Sequence, residues 1–139
     1  MKLLFVAYGG GHIRLLHQIA KKAINQNNFD IKIVALTTGY LDIKNYYTEE
    51  VLKRPINYKH LFTDELEIIY SYGNELLPEN HNPVSGLDEN DSCFYLGMSF
   101  NDLVKDHGEE EAWDIYSEKK RHAFLPISSM KRILEYEAP

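Results

Sequence analysis

Leu3-Leu4-Phe5-Val6-Ala7-Tyr8-Gly9-Gly10-Gly11-His12-Ile13-Arg14-Leu15-Leu16-His17-Gln18-Ile19-Ala20 decides the fold class. An apolar run breaks at three glycines and a histidine, then resumes with helical spacing. Leu3 to Tyr8 is apolar at odd and even positions alike, as a parallel strand covered on both faces must be. Ile13, Leu16, Ile19, Ala20, Ala23 and Ile24 recur at three- and four-residue steps, which predicts an amphipathic helix. Strand, tight glycine turn and helix make the opening of an α/β unit. In open α/β sheets, ligands bind at such junctions. Glycines let a ligand approach the backbone, and the free N–H groups of the first helical turn attract anions or polarised oxygens.

Two phosphate-cradling motifs fail on the letters. A P-loop needs Lys and then Ser or Thr after its last glycine, where this chain has His12-Ile13-Arg14. A dinucleotide fingerprint needs a glycine three residues beyond Gly11, where Arg14 stands. It also needs an acid after the second strand to hold the ribose, and Leu36-Thr37-Thr38 offers none.

The remaining chain alternates apolar and turn-forming stretches. Ile31 to Leu36 predicts a second strand, closed by Thr37-Thr38-Gly39. A helical stretch through Tyr46 and Leu52 breaks before Pro55, and Ile56 to Leu61 predicts a third strand. Thr63-Asp64-Glu65 starts a helix with Leu66, Ile69, Tyr70, Gly73, Leu76 and Leu77 inward, and Pro78 stops it. Glu79 to Asp91 predicts a surface loop. Ser99 with Asp102 three residues on predicts a capped helix to His107, and Gly108 ends it. Glu109 to His122 follows, with acids first and bases last as the helix dipole prefers. Ser128 or Ser129 opens a last helix with Met130, Ile133 and Leu134 inward.

Composition narrows the function. The chain has 139 residues, room for one domain with a real core, and 44% apolar residues argue against disorder. A net charge of −6 without a basic stripe or run argues against nucleic acid. A lone Cys93 cannot form an internal disulfide, which points to a reducing compartment. No stretch is long enough to span a bilayer, and Lys2 with six apolar residues is too short for a signal peptide. The expectation is a cytoplasmic protein, with peripheral contact at the inner face of the membrane left open. His60, His81, His107 and His122 show no metal-ligand spacing with one another or with Cys93, so no metal is assigned.

Three further stretches join the glycine loop: Tyr95-Leu96-Gly97-Met98-Ser99-Phe100-Asn101-Asp102-Leu103, His107-Gly108-Glu109-Glu110-Glu111-Ala112, and Ala123-Phe124-Leu125-Pro126. In this order they resemble the N-terminal, acceptor-binding domain of the two-domain (GT-B) glycosyltransferases. The likeness is to lipid-linked N-acetylglucosaminyltransferases and bacterial polysaccharide-biosynthesis transferases of the cell envelope. It implies an α/β, three-layer Rossmann-like fold, with a short parallel sheet ordered 3-2-1 and helices on both faces. It also implies that residues 1–139 form a single, incomplete acceptor domain, because the family pattern continues with an acid and another apolar strand. Sugar transfer would then need a C-terminal donor-binding half, and nucleotide sugar would bind only with that half; no other cofactor is implied.

The same resemblance implies the site. His12 is the catalytic base or an acceptor contact, since a histidine near its ordinary pKa of about 6.5 is mostly neutral at cytosolic pH. Gly9, Gly10, Gly11 and Arg14 are the acceptor-binding residues, the arginine reaching a phosphate bidentately. The plainer readings stand beside these: His12 caps a helix, and Arg14 is a surface charge. The partner is a glycan or lipid-linked acceptor. Two alternatives remain, a non-catalytic binding subunit completing a separate catalytic subunit and an inactive remnant. An uncovered first strand would cause self-association or recruit a partner subunit.

Overall fold

In the computed structural model, which describes residues 2–8, 11–26 and 29–138, the opening run forms β1 (Lys2–Ala7). The helical spacing after the glycines forms α1 (Gly11–Asn25). β2 (Asp30–Ala35) lies parallel to β1, with Lys2 opposite Asp30 and Ala7 opposite Ala35. After α2 (Gly39–Ile43) and a turn, β3 (Leu52–Lys53) pairs parallel with β2. The sheet order is β1-β2-β3, with a third strand other than the one expected, and the fold is mixed α/β.

Successive side chains of β2 point to opposite faces and enter two separate cores. Ile31, Ile33 and Ala35 join Ile13, Ala20 and Ala23 of α1 and Ile43 of α2. Val34 and Leu36 join a larger core built by the later helices α3 (Leu66–Asn80), α4 (Glu89–His107), α5 (Glu109–Lys119) and α6 (Ile127–Glu137). Lys32, on the same face as Val34, holds α6 to the sheet through a 2.6 Å ion pair with Glu137.

α3 and α4 make the closest helix pair, and two glycines permit it. A Cβ on Gly97 would lie 1.8 Å from the carbonyl oxygen of Ile69, and one on Gly73 would lie 2.0 Å from that of Cys93. Each glycine therefore marks a place where one backbone rests on the other. Glu65, just before α3, ties the far ends together by accepting from Arg132 of α6 at 2.6 Å and pairing with Lys105 of α4. Burial raises the Glu65 pKa, but these two cations outweigh it and hold the carboxyl below its usual range.

Four elements differ from the sequence reading. Residues 56–61 are not a strand but part of a 3-10 helix, Pro55–Phe62. Proline sits at its first position with a preset φ, and the Arg54 N–H donates to the Asn57 side chain at 2.8 Å. Tyr58 and Phe62, four apart, turn inward, while Asn57, Lys59 and His60 stay exposed. The third strand is instead the short Leu52–Lys53. α3 runs through Pro78 to Asn80, and Pro78 and Asn74 both lie on the exposed side, where a carbonyl without its helical donor is accessible to solvent. α5 stops at Lys119, with Lys120 at φ 53° and a short 3-10 turn through Ala123.

The largest difference is α4. It starts at Glu89, so the expected loop shrinks to residues 81–88, and Ser99 lies buried in mid-helix rather than at a cap. Asp88 is the N-cap, accepting from the Asp91 N–H at 3.1 Å. Asp102 serves a different helix: its carboxylate accepts from the Ser129 N–H and hydroxyl, both at 2.8 Å, at the start of α6.

β1 is an edge strand. In a parallel strand, a residue's N–H and C=O point to the same side, and the side alternates. The Ala7 carbonyl accepts from the Leu36 N–H, so Leu3, Phe5 and Ala7 face β2, while Lys2, Leu4 and Val6 turn their backbone groups outward. Val6 is 38% exposed.

Candidate functional site

The C-terminal ends of three parallel strands meet at one edge of the sheet. There Leu36-Thr37-Thr38 leaves β2, Arg54-Pro55 leaves β3, and Tyr8 leaves β1. α4 directs its first two turns at the same edge. Between them lies a cavity of about 170 Å³, lined on one side by Thr37, Thr38 and Arg54 and on the other by Asp91, Ser92 and Tyr95 of α4. His81 from the loop after α3 and Arg121 from the turn after α5 complete the wall.

Asp91 is the unusual member. It is only 6% exposed, and both its carboxylate oxygens are shut off from solvent. Arg54 Nη1 comes within 2.6 Å of Oδ2 and forms an ion pair with it. Burial drives the Asp91 pKa up from 3.8 to about 6; Arg54 opposes this and Asp88 adds to it. Arg54 is itself held, since its guanidinium lies 4.7 Å over the Tyr40 ring.

The other polar groups divide into satisfied and open. His81 Nδ1 and Ser92 Oγ are 2.8 Å apart, so these two satisfy each other. Tyr95 is kept protonated far above the ordinary phenol range by burial and then by the nearby Tyr8 phenol, with Arg121 pulling the other way. That coupling places the end of β1, α4 and Arg121 at one spot. Arg121 is exposed and has no hydrogen bond or ion pair among the described residues. The cavity wall thus carries a buried Asp91–Arg54 ion pair and the exposed Arg121.

Compared with family models, curated proteins and solved structures, the chain has no match. The site is therefore read from its geometry alone.

Of the residues expected from the sequence, Gly11, His12 and Arg14 lie at the same sheet edge but do not line this cavity. Gly11 opens α1, and His12 and Arg14 are exposed in its first turn. Gly9 and Gly10 lie outside the described residues. Tyr40, singled out by its place after a strand, supports Arg54. Sequence reasoning missed Arg54, Asp91 and Arg121. Arg54 follows a strand too short to recognise. Asp91 looked like the end of a polar loop, and an acid in a first helical turn has the ordinary dipole explanation. Arg121 belonged to a basic run read as a solvated face.

Elsewhere, Cys93 is buried, with its thiol pKa raised by burial, and lies 3.3 Å from the Asn74 side chain. Among the described residues, no three His, Cys, Asp or Glu side chains come together as metal ligands, and no helix is long and apolar enough to cross a membrane.

Proposed function

We propose that this chain is the N-terminal, acceptor-binding part of a GT-B-type glycosyltransferase, in a Rossmann-like layered arrangement. The sugar would pass from a nucleotide donor to a lipid-linked or polysaccharide acceptor. The observation that carries the reading is the polar cavity at the C-terminal ends of the parallel strands, where α/β sheets bind their ligands. His12 and Arg14, exposed in the first turn of α1 at the same edge, would flank an acceptor extending out of the cavity. In this reading His12 takes the proton from the attacking hydroxyl, and Gly9, Gly10 and Gly11 let the acceptor approach the backbone. Turnover requires a donor-binding half. The open edge of β1 favours a second reading, in which the chain is a binding subunit that completes a separate catalytic subunit.

Backbone NMR on the labelled chain tests the assignment. A short-chain polyprenyl diphosphate carrying N-acetylglucosamine should shift the amides of His12, Thr37 and Thr38 in a saturable way. UDP-, GDP- and dTDP-sugars should shift none of them. Saturable binding of a nucleotide sugar, with no response to the lipid-linked analogue, would reverse the assignment. With a donor-binding half supplied, His12→Ala should lower turnover by about 100-fold while leaving thermal stability nearly unchanged.

A further inference from the structure

The outer edge of β1 offers the N–H and C=O groups of Lys2, Leu4 and Val6, with no strand beside them among the described residues. Apolar side chains flank this edge on both faces of the sheet. On one face, His17 Nδ1 lies 2.7 Å from the Tyr47 hydroxyl, on the side of α1 nearest the turn into β3. At about 100° per residue, Leu15 and Ile19 point to the opposite side, over the open edge. They are 67% and 48% exposed. On the other face, the half-exposed Leu134 of α6 and Leu4 of β1 line a groove of about 240 Å³.

The pattern of the edge says what covers it. A two-fold axis perpendicular to the sheet at Leu4 sets two β1 strands antiparallel, with Leu4 opposite Leu4 and Lys2 opposite Val6. Outward residues then meet only outward residues, and each exchanges both hydrogen bonds with its opposite number. A register shifted by two residues leaves Lys2 or Val6 unmatched within the strand. An axis at Lys2, the single charged residue of β1, would set like charges face to face. The helices agree with the axis at Leu4. α1 lies over both β1 and β2, so the two α1 helices come to lie two strand spacings apart, roughly 9.6 Å. Helices pack at about 8–10 Å, and Leu15 and Ile19 of one copy meet those of the other. α6 lies under the same two strands, with Glu137 on Lys32 of β2 and Leu134 beside Leu4. The register brings the partner's Val6 to that groove.

We propose that this face is the interface of a symmetric dimer, in which two copies join β1 to β1 antiparallel and their three-stranded sheets become one. A two-fold interface consumes the edge, so assembly stops at two chains. One strand and one flank each of two helices is at the small end of specific interfaces, which sets dissociation in the micromolar range. The inference does not depend on the transferase reading.

Light scattering of the full chain across the micromolar range should give a mass rising from 16.2 kDa to a plateau at twice that value. Exchange of the Leu4 and Val6 amides should slow in step with the mass, and that of Leu3 and Phe5, bonded to β2, should change less. Charge reads the register. Val6→Lys sets lysine against Lys2 twice per dimer and should weaken dimerisation about tenfold. Val6→Glu loses the same valine contacts but sets glutamate against Lys2, and should dimerise about tenfold more tightly than V6K. Adding Lys2→Glu to V6K should restore the tighter value. If a variant does not fold, the concentration dependence of Leu4 and Val6 exchange in the unaltered chain still decides. A monomer at every concentration would overturn the proposal. Fast Leu4 and Val6 exchange would then leave the edge to a strand from a different subunit, and slow exchange would mean cover from within. Mass climbing past two chains, or equal dimerisation of V6K and V6E, would overturn it as well.

Discussion

Removing the Asp91–Arg54 ion pair should stabilise the protein at neutral pH. The Asp91 carboxyl titrates at about 6 in the folded chain against 3.8 ordinarily. A difference of roughly 2 pH units at about 1.36 kcal/mol each makes about 3 kcal/mol. Because the folded pKa is the higher one, the protonated group contributes this stability fully below about pH 4. The contribution fades as pH rises towards about 6, where the folded state still holds a proton that the unfolded state has released. Asp91→Asn replaces the carboxyl with a neutral group of the same shape and no titration. Urea unfolding of both proteins from pH 4 to 7.5, in the absence of sugar, isolates the effect, since every other titrating group cancels in the difference. The variant should match the parent at pH 4 and exceed it by about 3 kcal/mol at pH 7.5. A difference that stays flat with pH, or a variant less stable at pH 7.5, would show that Arg54 compensates the buried charge and that the argument from desolvation is wrong.

Other outcomes follow from the packing. Gly97→Ala sets a methyl carbon 1.8 Å from the Ile69 carbonyl oxygen, so α3 and α4 must separate; calorimetry should show a loss of about 3 kcal/mol or more. Asp102→Ala strands the Ser129 N–H and hydroxyl in the interior and should cost about 2–4 kcal/mol in urea unfolding, with α6 exchanging its amides first. Along β1, the outward Leu4 and Val6 amides should exchange faster than those of Leu3, Phe5 and Ala7. Light scattering after gel filtration should also show mass rising with concentration, as apolar strand edges recruit strands. A monomer at every concentration with slow Leu4 and Val6 exchange would mean that the edge is protected from within.

The order of elements was legible because local chemistry speaks with one voice at the start of the chain. The double-faced apolar run of β1, the glycine break and the spacing of α1 each admit few alternatives, and Ile31–Leu36 pairs with β1 as a second strand. Legibility failed where residues took their roles from distant partners. Tyr58 and Phe62 could have belonged to a strand or a helix until Pro55 and the α4 face decided it. Ser99 and Asp102 have the spacing of a capping box, and only the folded chain shows the serine buried in mid-helix and the aspartate capping α6 from 27 residues away.

The candidate site divides along the same line. The sequence by itself pointed to the C-terminal edge of a parallel sheet as the place to look for ligand chemistry, because a strand–glycine–helix junction can expose backbone donors there. It also placed His12 and Arg14 in the turn that follows. Only the tertiary structure decided that Arg54, Asp91 and Arg121, from three separate segments, share one cavity at that edge. The physical reason is that burial and the choice of a partner are not properties of a residue. Asp91 in a first helical turn is an ordinary dipole-favoured acid until the packing of α4 against the sheet removes it from water and sets it against Arg54.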